Sequence, residues 1–418
     1  MDEQPAGADW RAILLLIFSL GGALLAFTSA LATLALTLFS LDAFAGLDVS
    51  PLSTLLAGST LAAVGLLFLP VGYYSLRRLR GLGTAALVLP ALRFWTWGLL
   101  PFLWLLAVTL ASLFHDAPGA LIYAPVLHFL AVALPLYLLA RAALARIPLG
   151  SALRAWGVLG SGMSFSLVVA LTLEVMVLAG FLLVLGAYLA LNPEQIGAIE
   201  RLAGQVQNAP NLESLLYVVA PVVNNPLTLL AALLFLSGFV PLIEESAKSL
   251  GVWLVVDRLS SPAQGFAMGV LSGAGFALIE SLSASMTPDD TWAMTFAARA
   301  FSGLMHVLAS GLTGMGVAYA RLEERYTRLV GLFVLGVLVH SAWNAGAVLT
   351  VAGGLRITLA NPEIDLPGVL LGLVGLAAIF VMAVVMAVGL IVLNARLRDA
   401  NPSSPLAQPA PAQDQPVS

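Results

Sequence analysis

Ten apolar runs, each long enough to cross a bilayer, follow one another along the chain, at about residues 12–41, 52–76, 94–114, 119–139, 156–191, 227–256, 263–286, 293–320, 329–351 and 366–393. They are continuous instead of alternating, so they predict membrane helices and not the strands of a barrel. The first run is about 30 residues long, against roughly 7–15 for the apolar region of a cleaved signal peptide, and it follows the acidic start Met1-Asp2-Glu3-Gln4. The fifth run exceeds one untilted span, which predicts either two pieces or a helix that projects from the membrane. After it, Asn192-Pro193-Glu194-Gln195 reads as a helix start, with Asn192 as cap and Pro193 at the first helical position. Ile196, Ile199, Leu202 and Val206 then mark one apolar face, as in a short amphipathic helix at the membrane surface.

This pattern divides the chain into five N-terminal membrane helices (1–191), an extracytoplasmic loop with the amphipathic helix (192–226), a four-helix core (227–351), a last transmembrane helix (352–398) and a tail (399–418). The tail is rich in Pro, Gln and Ala and is expected to be disordered. Composition agrees with the pattern. Of 418 residues, 60% are hydrophobic and 10% charged, with a mean hydropathy of +0.99. A soluble domain carries about 25% charge, so the expected fold is an all-α polytopic membrane protein with about ten transmembrane helices. A net charge of −4 without a large basic cluster argues against nucleic acid as a partner. With no cysteine, thiolate nucleophiles and cysteine-ligated metals are excluded.

Arginine sets the expected orientation. The loops after runs two, four, six and eight carry Arg77, Arg78, Arg80 and Arg93; Arg141, Arg146 and Arg154; Arg258; and Arg321, Arg325 and Arg328. Arg201, Arg299 and Arg356 are the exceptions on the other side. Ten spans with both termini cytoplasmic, in the cell membrane, satisfy the pattern.

Against that apolar background, four consecutive runs carry ionisable groups: Glu244, Glu245 and Lys248; Glu280; His306; and His340, with Asn344 one turn on. Ionisable groups at membrane depth are costly and by default functional. Counted from the cytoplasmic flank of each helix, Glu244, Glu280, His306 and His340 lie about 21, 24, 22 and 18 Å in. Four antiparallel helices thus bring their polar residues to one level, in the outer half of a core about 30 Å thick. Glu244 and Lys248, Phe276 and Glu280, and His340 and Asn344 are each spaced i, i+4 and share a helix face. The Glu280 face also carries Gly269 and Gly273, and the His306 face Ser302, Ser310 and Gly314, small residues that let helices approach closely. Pro241 removes one backbone donor and frees a carbonyl near Ser237, where the helix is expected to bend.

Carboxylates, two histidines and an amide suit the activation of water. Two chemistries fit. In one, Glu244 is a general base oriented by Glu280 or a histidine, with His340 and Asn344 donating to the developing oxyanion. In the other, a divalent metal such as zinc is held by His306, His340 and a carboxylate, Glu280 or Glu244. Lys248 is expected to fix its helix through an ion pair. Glu174 is expected to be structural, His128 to face the bundle, His115 to sit at an interface, and Arg299 to lie near the outer surface and pair with Asp289 or Asp290. A proton- or cation-coupled transporter would use the same residue types as a relay.

Glu244-Glu245-x-x-Lys248, Phe276-x-x-x-Glu280, His306 and His340-x-x-x-Asn344, in this order on successive membrane helices, resemble the motifs of PrsW-type intramembrane proteases, relatives of the CAAX-prenyl endopeptidase and bacteriocin-processing superfamily. The resemblance spans about 241–346. It implies Glu244 and Glu245 as the catalytic pair, with Glu280, His306, His340 and Asn344 as remaining site residues and Lys248 and Phe276 in support. It also implies hydrolysis of peptide bonds in a single-span membrane substrate, as by a site-1 protease acting on anti-sigma factors from the extracytoplasmic side. Glu280 stands where the prenyl-processing relatives carry a histidine, which favours the PrsW branch.

Overall fold

The computed structural model describes residues 9–40, 50–83, 86–117, 119–360 and 365–399; the polar tail and the acidic loop with Asp42 and Asp48 lie outside them. Among the described residues, ten helical runs are long and apolar enough to span a membrane. The protein is an all-α polytopic membrane protein, as its apolar periodicity predicts.

The helices are α1 (Trp10–Ser40), α2 (Pro51–Leu79), α3 (Thr96–Phe114), α4 (Ala120–Leu144), α5 (Ala152–Ser161), α6 (Leu167–Leu191), α7 (Ile196–Gln207), α8 (Leu212–Val223), α9 (Pro226–Ala232), α10 (Val240–Trp253), α11 (Pro262–Ala284), α12 (Trp292–Glu323), α13 (Tyr326–Ala360) and α14 (Leu366–Asp399). The fifth run is one long helical passage in which a π-helical turn, Gly162–Ser166, joins α5 to α6. The chain forms two compact units. One holds the described residues of 1–166, 248–334 and 386–418; the other holds 167–247 and 335–385.

In the first unit, α11 and α12 are buried over most of their length. Their contact rests on absent side chains. A Cβ on Gly269 would meet the Ser310 carbonyl oxygen, one on Gly273 the His306 carbonyl oxygen, and one on Gly314 the Gly265 carbonyl oxygen. On another side of α11, Gly275 lies against the Leu159 carbonyl of α5, and Gly162 against that of Ser272. α4 packs on this pair through Ala124, Ala131, Val132 and Leu136, which share a core with Ala277, Leu282, Trp292 and Phe296. Ion pairs gather near the arginine-rich helix ends: Arg11 with Asp257 at 2.8 Å and Arg78 with Asp9 at 3.1 Å.

Three features of the fold differ from the sequence reading. A two-stranded antiparallel ribbon pairs β1 (Ala86–Val88) with β2 (Pro148–Ser151), in loops where short segments give no strand periodicity. Helix α8 follows the amphipathic helix, capped by the Asn211 side chain on the Ser214 amide. Asn192 takes the N-cap position and Pro193 opens the turn as read, but the turn Pro193–Gln195 is 3-10 and the Asn192 side chain makes no capping bond, its amide donating back to the Tyr188 carbonyl at 2.8 Å.

In the second unit, α13 and the first part of α14 meet through glycines: Gly353 against Gly368 and Gly372, and Gly375 against the Gly346 carbonyl. Phe181 of α6 sets its edge against Phe235 and Phe239, with ring centroids 6.0 and 5.8 Å apart. The bend expected before Pro241 takes the form of a π-helical segment, Leu233–Phe239, between α9 and α10. A ring in place of an N–H interrupts the i to i−4 ladder, and a π-turn is one way to absorb the interruption.

Candidate active site

Polar residues of the four motif-bearing helices occupy both units. Glu244 and Glu245 of α10 belong to the second unit with His340 and Asn344 of α13; Lys248 belongs to the first with Glu280 of α11 and Arg299 and His306 of α12.

In the second unit, His340 Nδ1 lies 3.0 Å from Glu245 Oε1, and its Nε2 lies 3.9 Å from Glu244 Oε2. His340 and Glu245 are almost without solvent exposure, at 2% and 0%. A carboxylate only accepts, so Nδ1 carries the proton and the Nε2 lone pair is on the Glu244 side. This is the arrangement in which one carboxylate holds a histidine in the tautomer that ligates a metal through its other nitrogen. Two ligands on one zinc-like ion, with bonds of about 2.0–2.2 Å, stand about 3.4 Å apart at a tetrahedral angle. The Nε2 to Oε2 separation of 3.9 Å is about half an ångström longer, which makes Glu244 and His340 candidates for two of the three protein ligands that a catalytic zinc site takes. Asn344 donates through Nδ2 to the Leu236 carbonyl at 2.8 Å, inside the π-helical segment. Its amide thereby ties α13 to the irregular stretch that leads into Glu244.

In the first unit, Lys248 is fully buried. Its Nζ lies 2.7 Å from His306 Nδ1 and 4.3 Å from the centre of the Phe276 ring. An ammonium has only donors, so Nδ1 accepts and the His306 proton sits on Nε2. That nitrogen is 2.8 Å from Glu280 Oε2. The Phe276 face stabilises the cation where water is excluded. Phe276 and Glu280, one turn apart on α11, thus meet Lys248 and His306 respectively. Ser272 Oγ donates to the Lys248 carbonyl at 2.7 Å and braces that turn of α10. Glu280 keeps 31% of its side chain exposed, against 2% for His306.

Arg299 departs from expectation. It pairs with Glu280 at 2.8 Å and not with Asp289 or Asp290; Asp289 instead accepts from the Thr291 backbone and hydroxyl. The outward arginine of the sequence reading turns inward because a charge two turns from His306 lies on the same face of α12. That spacing is the signal by which it could have been found. His128 faces the bundle as expected, and His115 lies at a helix end, 3.2 Å from Asp116. Glu174 sits half-buried on α6.

A family model described as PrsW family intramembrane metalloprotease matches residues 173–388, just over half of the chain. The match begins in α6 and ends in α14, wider on both sides than the four motif-bearing helices. No curated protein and no solved structure matches the chain. The family match decides between peptide hydrolysis and ion-coupled transport, and its description adds metal dependence as a family property. With ten apolar spans and this match, the chain belongs to the PrsW family of intramembrane metalloproteases and is a multi-pass membrane protease.

Proposed function

We propose that the protein hydrolyses a peptide bond of a single-span membrane protein, with Glu244 and His340 holding a divalent metal, zinc by ligand type, and Glu245 orienting the imidazole. The observation that carries this reading is the pair of contacts on His340, 3.0 Å from Glu245 and 3.9 Å from Glu244 on opposite ring nitrogens. A bound ion of this kind supplies Lewis acidity and a water of lowered pKa. Glu280 takes a proton from the attacking water and returns it to the leaving amine as the C–N bond breaks. His306 and Lys248 hold that carboxylate in place: Lys248 occupies Nδ1, which turns Nε2–H to Glu280. Along α10, Glu244 and Lys248 stand one turn apart on one face.

A site in the outer half of the bilayer, reached from the extracytoplasmic side, follows from the residue counts along each helix. Two of the three stray arginines are engaged within the fold. Arg299 pairs with Glu280, and Arg356 pairs with Asp365 at 2.7 Å. The Arg356 guanidinium beside Asp365 holds that carboxyl below the usual carboxylate range. The family resemblance implies an anti-sigma-factor-like substrate of the site-1 type for a site at that depth.

The test is metal analysis and cleavage on the purified protein. About one metal per chain, loss of cleavage on chelation and recovery on adding zinc are expected; full activity in metal-free protein would overturn the reading. Glu245→Gln is expected to lower metal affinity about 10- to 100-fold, the usual cost of losing a histidine's carboxylate partner. Metal retention after dialysis measures it, and wild-type retention removes Glu245 from that role.

A further inference from the structure

The Glu280 side chain is the end of a buried polar chain that starts on α4, outside the matched family region. His128 of α4 is 1% exposed. Its Nε2 lies 2.9 Å from Ser285 Oγ. The Ser285 hydroxyl donates to the Ser281 carbonyl at 2.7 Å, so its oxygen accepts and His128 donates. One turn back, Ser281 Oγ accepts from Arg299 Nε at 3.1 Å. Arg299 Nη2 then reaches Glu280 Oε2 at 2.8 Å, the same oxygen that faces His306. The start of the chain is held as firmly as its end. The His128 ring stacks on Trp292 with centroids 6.1 Å apart at 18°, and Trp292 Nε1 donates to the Ser285 carbonyl at 2.9 Å.

We propose that Arg299 is a positioning residue for Glu280, and that Ser281, Ser285 and His128 fix Arg299 in turn, so that α4 takes part in catalysis by orienting a carboxylate it does not touch. The geometry separates the two carboxylate oxygens. Oε2 is held from two sides, by His306 and Arg299, which leaves Oε1 to meet the water. Arginine is suited to this because its planar group donates through Nε to Ser281 while Nη2 sets a positive charge 2.8 Å from Glu280. A lysine offers the charge without the fork. The assignment gives the N-terminal helices a role: the wall that α4 forms against α11 and α12 carries the anchor of the site. It rests on the reading of Glu280 as the proton-transfer carboxylate.

The test uses the full-length protein in detergent and the member of a quenched-fluorescent single-span peptide library that the wild type cleaves fastest. Arg299→Gln is expected to lower kcat about 10²-fold with KM within about twofold, the signature of a misplaced reacting group and not of lost binding. Arg299→Lys is expected to recover about tenfold of that loss, because it returns the charge without the second bond. Ser285→Ala, which removes one hydroxyl, should lower kcat about fivefold, the worth of one hydrogen bond. His128→Phe keeps the stack on Trp292 and should do the same, with the double variant no slower than either single one. Wild-type kcat in Arg299→Gln, or a loss confined to KM, overturns the proposal. If Arg299→Gln does not fold, Ser285→Ala and Arg299→Lys decide, and wild-type kcat in both overturns it. Glu280→Gln separates the two levels: if it is inactive while the Arg299 variants cleave normally, only the positioning role falls. If it cleaves normally, the role of Glu280 falls and the proposal with it.

Discussion

Glu244→Gln is expected to abolish cleavage, with a fall in kcat/KM of about 10⁴-fold or more, equivalent to at least about 5.5 kcal/mol of lost transition-state stabilisation. The substitution is nearly isosteric and removes a single negative charge from the Nε2 side of His340. A neutral amide is a poor ligand for a divalent ion and cannot serve as a base, so both chemistries open to this residue are lost together. The fold should persist, because the amide keeps nearly the shape and volume of the carboxyl it replaces. Thermal unfolding within a few degrees of wild type, beside an absence of cleaved product on a gel, is the expected pair of results. Normal cleavage by purified Glu244→Gln protein would remove this residue from the mechanism. Glu280→Gln, His306→Ala and His340→Ala are expected to be inactive by the same assay.

The second large effect concerns the fold. Gly269→Leu is expected to destabilise the protein by more than about 3 kcal/mol, as overpacking against a rigid backbone does. The first atom of any side chain there would meet the Ser310 carbonyl oxygen, which belongs to helix backbone and cannot swing aside. Nor can α11 shift away, because Gly275 holds it against α5 on another side. The effect should reach the site, since the next glycine along, Gly273, sits on the His306 carbonyl. Gly186→Leu is the matched control: a Cβ at Gly186 meets nothing within 4 Å, and the change is expected to alter stability by less than about 0.5 kcal/mol. Thermal unfolding in detergent followed by size-exclusion chromatography measures both. Equal stability of the two variants would mean that α11 and α12 do not depend on this close approach.

Much of the site is legible in the linear pattern because a helix repeats locally. The i, i+4 spacing alone puts Glu244 with Lys248, Phe276 with Glu280 and His340 with Asn344 on common faces, and in the structure Phe276 and Glu280 engage one buried Lys248–His306 pair. The small residues flanking them were equally readable, since Gly269 and Gly273 on one helix and Ser310 and Gly314 on another have little use on a lipid-facing surface. The partner of Arg299 escapes the local pattern for a corresponding reason. Its nearest acidic residues in sequence, Asp289 and Asp290, lie before the helix starts, whereas its partner Glu280 lies across a packed interface. Asn344 illustrates a further limit, because its acceptor is the Leu236 carbonyl of another helix, over 100 residues away.

By itself the sequence determined the ten spans, the order of the polar residues along four of them, the face each occupies, and the resemblance that names the reaction. These follow from hydrophobic runs matched to a bilayer and from the 3.6-residue period, both local properties of the chain. Only the tertiary structure decided which nitrogen of each histidine faces which carboxylate, that Lys248 rests on Phe276 and His306, that Arg299 turns inward to Glu280, and that His128 on a distant helix completes the chain. Those choices depend on how closely two helix backbones approach and at what rotation. That is set by glycines acting jointly on partners far apart in sequence, so no single stretch of residues carries the information.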